Sequence, residues 1–528
     1  MTYESEHHPT GHHHRHCHCC GDHGLPLNRS RRNFMTGIAA GALLAKSSLG
    51  AAGLLAAEGE TPAERFAPAP PQRLPLKVQP VLVYSIYTRG EKTSWRGWGG
   101  IDSREGADRE CAAITRELAS LKEKADFPVE FAEVIAVNDM RTLIGDERIA
   151  RADTVVVYGA GGGIEGAQEL GRDVIIFQRW ESEPVYLQYE IVSPHFLRQR
   201  TDSLQLKNIT NDDIVTDSLD ELLWRLRSLC GLKNTRGSRI VAIGRYDVWA
   251  QGAESQEALF KAIGEKLALD IREVPFEDLD PLIDAAAADE QLQKWADGAA
   301  RDYLALPDTA CEVPFEPVRN CFVLDAIFRR IMHDAQCRAI TVFGCMTTII
   351  PKANTTACLT LSTLNDDGYL AFCESDFAVV PSGILLANIT GHPVFMNDPT
   401  YPHAGKITLA HCTAPRKMSG AKRDPVRIVT HFESDFGAAP KVEMPIGQPM
   451  TNILPDFRLD RWAGLRAKVI DNPFRPICRS QIDVAYEADD KLVAERMPGF
   501  HWMSCYGDYM NEIGYALRRL NIAWDPLG

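Results

Sequence analysis

The succession of apolar runs and amphipathic stretches lays out most of the chain. Apolar runs at 81–87, 129–137, 154–159 and 173–177 read as strands, and helical patterns such as 109–125 lie between them. That alternation predicts a mostly parallel sheet. A helical segment at 217–229 closes the unit, and a strand at 238–244 opens a second one. The second unit continues through an alanine-rich, acidic helical stretch at 283–304, a long helix around 323–335 and a strand at 339–344. A strand at 369–373 then ends at Glu374, and Ser375 is placed to cap a helix running to about Asn388. Gly391 stands where a left-handed C-cap residue is expected, and a strand at 392–396 delivers Asn397 and Asp398. Strand–helix–strand units are nearly always parallel and right-handed, so Glu374 and Asp398 are expected side by side at one sheet edge. Beyond 400, β-like runs including 406–412 and 427–432 predict a barrel-like domain, with a final helix at 508–520.

The expected fold class is α/β: two Rossmann-like parallel-sheet domains at 78–235 and 236–400, then a barrel-like β C-terminal domain at 401–528. Residues 58–77 are proline-rich and read as a linker. With 528 residues and 45 % hydrophobic content, ordinary globular cores are expected. A net charge of −14 argues against nucleic acid or anionic membrane surfaces as partners.

Residues 1–57 read as a leader. Its first 23 residues hold eight histidines and three cysteines, a composition able to bind soft metals. The stretch Asn28-Arg29-Ser30-Arg31-Arg32-Asn33-Phe34-Met35 follows and resembles a twin-arginine export signal. The apolar stretch at 37–57 is interrupted by Lys46, which favours a cleaved signal over a membrane span, with retention as an N-terminal anchor the alternative. The expected location is outside the cytoplasm, and the twin-arginine machinery is an expected partner. Eleven cysteines remain beyond the leader, with no CxxC pair. They read mainly as reduced packing residues, with one or two disulfides left open.

The candidate chemistry lies between Cys358 and Met418. Two carboxylates at one edge, Glu374 and Asp398, can share a hard divalent cation or divide acid and base roles. Seven histidines lie outside the leader, and His411, after an apolar run, and His501, before the final helix, are the ones that join the pair. Cys373 and Cys412 adjoin site residues but, by strand alternation, are expected on the opposite face as packing groups.

The sequences N-D-D-G-x-L-x-x-C-E-x-D at 365–376, T-G-H-P-V-F-M-N-D-P at 390–399, A-H-C-T-A-P-R at 410–416 and G-F-H-x-x-x-x-Y-G-D at 499–508 resemble the L-fucose isomerase and L-arabinose isomerase superfamily. The resemblance is firm over about 340–420 and 499–520 and loose over the N-terminal half. It implies Glu374, Asp398 and His501 as ligands of a divalent metal, Mn²⁺ first, with His411 as a further ligand. It implies Glu374 and Asp398 as the proton-transfer groups of an aldose–ketose isomerase working through a cis-enediol, with Asn365 in a substrate-binding stretch. It also implies a homo-oligomer acting on a small sugar.

Two other clusters read as candidate sugar contacts. In the loop at 89–100, Arg96 would bond hydroxyls and Trp95 or Trp98 would stack on a ring. His431, Glu433 and Asp435 alternate along an expected strand and would share one face of a pocket. The turn Gly161-Gly162-Gly163-Ile164-Glu165-Gly166 fits a dinucleotide pattern only if it opens a helix. It supports the rival reading, an exported NAD(P)-dependent oxidoreductase. The other rival is a non-catalytic sugar-binding relative.

Overall fold

A computed structural model describes residues 61–95, 100–186, 209–245 and 253–528. The export signal, the His/Cys tract, Arg96 and Trp98 lie outside the described residues.

The first sheet is parallel, with β1 (Leu76–Val83), β2 (Val129–Phe131), β3 (Ile135–Val137), β4 (Thr154–Gly159), β5 (Asp173–Gln178) and β6 (Ile214–Thr216) in the order β2-β1-β4-β5-β6, while β3 also pairs with β1. Every residue of β4 is buried, as an uninterrupted Val-rich run requires when helices cover both faces. The expected strand at 129–137 is therefore two short strands that share β1 as partner.

The second sheet is also parallel, in the order β11-β10-β7-β8, from β7 (Arg239–Ile243), β8 (Asp270–Val274), β10 (Ala339–Val342) and β11 (Leu370–Cys373). Strand β9 (Thr309–Cys311) leaves it to join β14 (Val426–Val429) and β15 (Ala439–Val442) in a small separate sheet. The run expected at 427–432 thus lies outside the barrel. The alanine-rich stretch forms two helices, Phe276–Ala288 and Glu290–Leu304, broken where Asp289 caps the second.

The C-terminal strands close on themselves. β12 (Phe395–Pro399), β13 (Lys406–His411), β16 (Pro449–Pro455), β17 (Arg461–Asp471), β18 (Ser480–Ala485) and β19 (Trp502–Tyr506) run in the order β16-β19-β12-β13-β18-β17, and β17 pairs back with β16. This is an antiparallel six-stranded barrel, and β20 (Ala523–Leu527) adds in parallel to β17. The chain is therefore α/β with two parallel-sheet units and a closed barrel.

The expected parallel crossover is overturned. β11 and β12 do not form a parallel crossover: β11 is the edge of the second sheet, while β12 is a barrel strand antiparallel to β13 and β19. The helix between them, Val380–Thr390, is buried at every position, so it is held on all sides between layers instead of lying on one face of a sheet. Gly383 allows the close fit, since a Cβ there would sit 2.5 Å from Phe372 and 2.7 Å from Met503. The helix also starts later than expected. Glu374 and Ser375 have φ of 63° and 50°, so Ser375 cannot cap it, and it begins at Val380 with a proline in its first turn. Gly391 is the left-handed C-cap, with φ 73°.

The described part of the proline-rich segment is anchored. Phe66 is buried against Trp295, and the Pro68 carbonyl accepts a hydrogen bond from Tyr369 Oη at 2.6 Å.

Candidate functional site

Glu374 leaves the carboxyl end of β11, the edge strand nearest the barrel. Thr341 Oγ1 braces the turn from both sides, donating to the Cys373 carbonyl at 3.4 Å and accepting from the Ser375 amide at 3.1 Å. Asp398 comes from β12. Its cross-strand partner is Ala410 on one side, and Asn397 pairs with Trp502 on the other. Continuing that register, His501, just before β19, falls opposite Asp398, and His411, the last residue of β13, falls opposite Asn397.

The four groups meet. His501 Nε2 lies 3.2 Å from Glu374 Oε2 and 3.2 Å from Asp398 Oδ1, and His411 Nε2 lies 3.4 Å from Glu374 Oε1. Both imidazoles are buried, and each has its other nitrogen engaged. His501 Nδ1 is 2.7 Å from Asp376 Oδ2, and His411 Nδ1 is 3.0 Å from Thr413 Oγ1. Each ring therefore turns Nε2 inward, the arrangement by which a second layer of residues orients metal-binding histidines. Asp398 Oδ1 and His411 Nε2 are buried with no partner of hydrogen-bonding geometry beyond these close contacts, and the donor atoms of Asp398, His411 and His501 all lie within 4.8 Å of one another.

The charges point the same way. Burial opposes ionisation of Glu374, but its contacts with His411 and His501 hold its carboxyl well below the usual range. Burial also opposes charge on the rings, yet Glu374 and Asp398 raise His411, and Asp376, Asp398 and Glu374 raise His501. Without a cation, protons supply the positive charge that lets two carboxylates share this space. A divalent ion would fill the same electrostatic role, so the residues fit a metal.

Two neighbours were not singled out in the sequence, and a third was placed on the wrong face. Asp376 and Thr413 orient the histidines. Cys373 was expected to face away, but its thiol lies within 4.8 Å of donor atoms on Glu374 and His411. Alternation fails because the positive φ of Glu374 turns its side chain toward the same space as Cys373. The C-E-x-D and H-C-T spacings held all three.

The remaining candidates fall elsewhere. Asn365 bonds the backbone, with Nδ2 donating to the carbonyls of Leu361 at 3.0 Å and Ala371 at 2.7 Å and Oδ1 accepting from the Ala371 amide at 3.0 Å, so its amide ties a helix to β11 instead of facing the site. His431 and Glu433 lie in a turn after β14, not on a strand, so the shared face expected with Asp435 does not form. Asp435 is exposed, whereas His431 is buried, with Nδ1 3.1 Å from Ser434 Oγ and Nε2 3.7 Å from Glu433. Its ring reaches the Cys412 thiol, which also touches Cys358 and Cys478, so His431 stands in a layer behind His411. The glycine turn opens a five-residue 3₁₀ helix, Glu165–Glu169, so it lacks the α-helix start that a dinucleotide pyrophosphate uses.

No protein-family model and no curated protein matches the chain. Among solved structures it is similar to a putative two-component system response regulator/GGDEF domain protein, at 13 % identity over 59 % of this chain and 97 % of that one, with a TM-score of 0.21. A likeness at that level carries no argument about fold or function.

Proposed function

We propose that the chain is a metal-dependent aldose–ketose isomerase of the L-fucose/L-arabinose isomerase kind, acting on a small sugar. The observation that carries the reading is the meeting of Glu374, Asp398 and His501 at 3.2 Å contacts, with His411 3.4 Å from Glu374 and both rings held through Nδ1. The resemblance of the same four segments to that superfamily supports it.

A divalent cation, Mn²⁺ by its preference for mixed oxygen and imidazole donors, would be held by Glu374, Asp398 and His501 with His411, and would polarise the sugar's carbonyl and hydroxyl oxygens. Its contacts with His411 and His501 hold the Glu374 carboxyl ionised. Between them Glu374 and Asp398 take the proton from C2 and return one to C1, while the hydroxyl proton at O2 passes to O1, so the aldose leaves as the ketose with no net change in composition. Asp376 and Thr413 keep the two rings in place throughout. Export by the twin-arginine route and homo-oligomeric assembly complete the proposal.

The test is to strip the protein with a chelator, reload it with Mn²⁺ and offer a panel of aldoses in D₂O. Deuterium at C2 of the recovered aldose is the expected result. Absence of metal binding, or a Glu374→Gln protein with unchanged binding and turnover, would overturn the reading. Turnover with NAD(P) and no isomerisation would favour the oxidoreductase, and sugar binding without turnover the non-catalytic relative.

A further inference from the structure

The same pocket contains a donor set of a different kind. Cys373 Sγ, a carboxylate oxygen of Glu374 and an imidazole nitrogen of His411 all lie within 4.8 Å of one another. They adjoin the Asp398, His411 and His501 set without being identical to it. The His411 side chain is buried, and beyond its 3.4 Å contact with Glu374 its Nε2 has no partner of hydrogen-bonding geometry. With Nδ1 engaged by Thr413, His411 has one lone pair to give, so it serves one cation at a time. Glu374 is likewise shared, turning Oε1 toward His411 and Oε2 toward His501. Two overlapping positions therefore compete for the same two residues. One is completed by the oxygen of Asp398 and the nitrogen of His501, and the other by sulfur.

We propose that Cys373 is a metal-ligating thiol, and that Cys373, Glu374 and His411 form a separate position for a thiophilic divalent cation such as zinc or cobalt. Sulfur donors select softer ions, whereas a carboxylate and imidazole set is open to manganese. A thiophilic ion seated on Cys373 takes Glu374 and His411 away from the Asp398/His501 position, so zinc displaces manganese's ligands without touching Asp398. The thiol proton is released to solvent as the sulfur–metal bond forms. The inference needs a cation in the pocket but does not depend on the sugar chemistry.

Cobalt(II) reads the sulfur bond directly. Chelator-stripped protein titrated with Co²⁺ is expected to develop an intense near-ultraviolet thiolate-to-cobalt charge-transfer band. The band should be lost in Cys373→Ser, kept in Cys412→Ser and His501→Gln, and removed from the wild type by Zn²⁺. In the unsubstituted protein, Co²⁺ should also slow alkylation of the half-buried Cys373 while Mn²⁺ does not, a readout that stands even if a variant folds poorly. A wild-type cobalt complex without the charge-transfer band, a band that survives Cys373→Ser, or equal alkylation rates with the two ions would overturn the proposal. Mn²⁺-dependent isomerisation without a sulfur band refutes this inference alone. A sulfur band in a protein that isomerises no sugar refutes the proposed function alone.

Discussion

At the scale of single residues, the cluster of Glu374, Asp398, His411 and His501 depends on groups that stand behind it. Asp376 accepts through Oδ2 from His501 Nδ1 at 2.7 Å and through Oδ1 from the Ala378 amide at 3.0 Å. In Asp376→Asn the amide oxygen keeps the Ala378 bond, which leaves the NH₂ facing His501. That NH₂ donates to Nδ1 and drives the ring proton onto Nε2, the atom that faces the centre. Mn²⁺ affinity should fall about 10–100-fold, as for other losses of an orienting partner, and calorimetric titration of the stripped protein measures it; an unchanged Kd would remove Asp376 from this role. Asp366 supplies a pH signature. Burial raises its carboxyl to about 6 although its Oδ1 accepts from the Arg416 and Lys417 amides, both at 2.8 Å. A folded pKa above the unfolded value means the native state binds more protons between the two. Stability from this group is thus full below about pH 4 and is lost as pH rises through about 6, by ~3 kcal/mol for a shift of about two units. Asp366→Asn keeps an acceptor and cannot ionise. Urea unfolding at several pH values should show that the wild type loses this increment relative to the variant between pH 4 and 7, and parallel curves would sink the assignment.

At the scale of elements, local pattern was a good guide wherever a segment's partners lie next to it in sequence. The Val-rich run of β4, the glycine after the helix Val380–Thr390 and the strand before His411 were all legible, because burial on two faces, a left-handed cap and an apolar run leave local marks. The partnership of β12 was not legible. A strand after a helix usually returns to its own sheet, and nothing in residues 392–399 states that β13 and β19 bid for its edges instead. What redirects the chain is the all-round apolar helix, which must be enclosed by more than one sheet. Gly383 is the test of that enclosure. A Gly383→Val side chain would start 2.5 Å from Phe372 and 2.7 Å from Met503, on β11 and β19 respectively. It should cost about 1–3 kcal/mol through overpacking. Urea unfolding reads that cost, and an unaltered midpoint would mean the helix can shift between its layers.

At the scale of the whole molecule, the site's residues come from four separate places between Glu374 and His501, and no local pattern could state their distances. What the sequence did carry was residue type: a glutamate and an aspartate ending strands, and two histidines outside helices. The shared geometry comes from the barrel register and from how the barrel seats against the second sheet. The first sheet is tied to the same assembly by a buried clasp. Asp213, fully buried just before β6, accepts from Tyr515 Oη at 2.9 Å, Arg518 Nη2 at 2.6 Å and Arg519 Nη2 at 2.9 Å, and Arg519 also holds Asp173 on β5 at 2.6 Å. Those three residues belong to the helix Met510–Arg519, which follows β19, the strand that starts directly after His501. Removing one partner of a buried ionic network leaves the opposite charge desolvated and unpaired, a loss of about 3–5 kcal/mol. Asp213→Ala should therefore unfold at lower urea, and hydrogen exchange should locate the damage. Protection should drop first in β5, β6 and the helix Met510–Arg519, while the barrel strands β13 and β18 keep theirs. A uniform loss of protection would mean that the clasp stabilises the molecule as one cooperative unit, and unchanged protection would mean that the apolar core of the first sheet holds it to the barrel without the clasp.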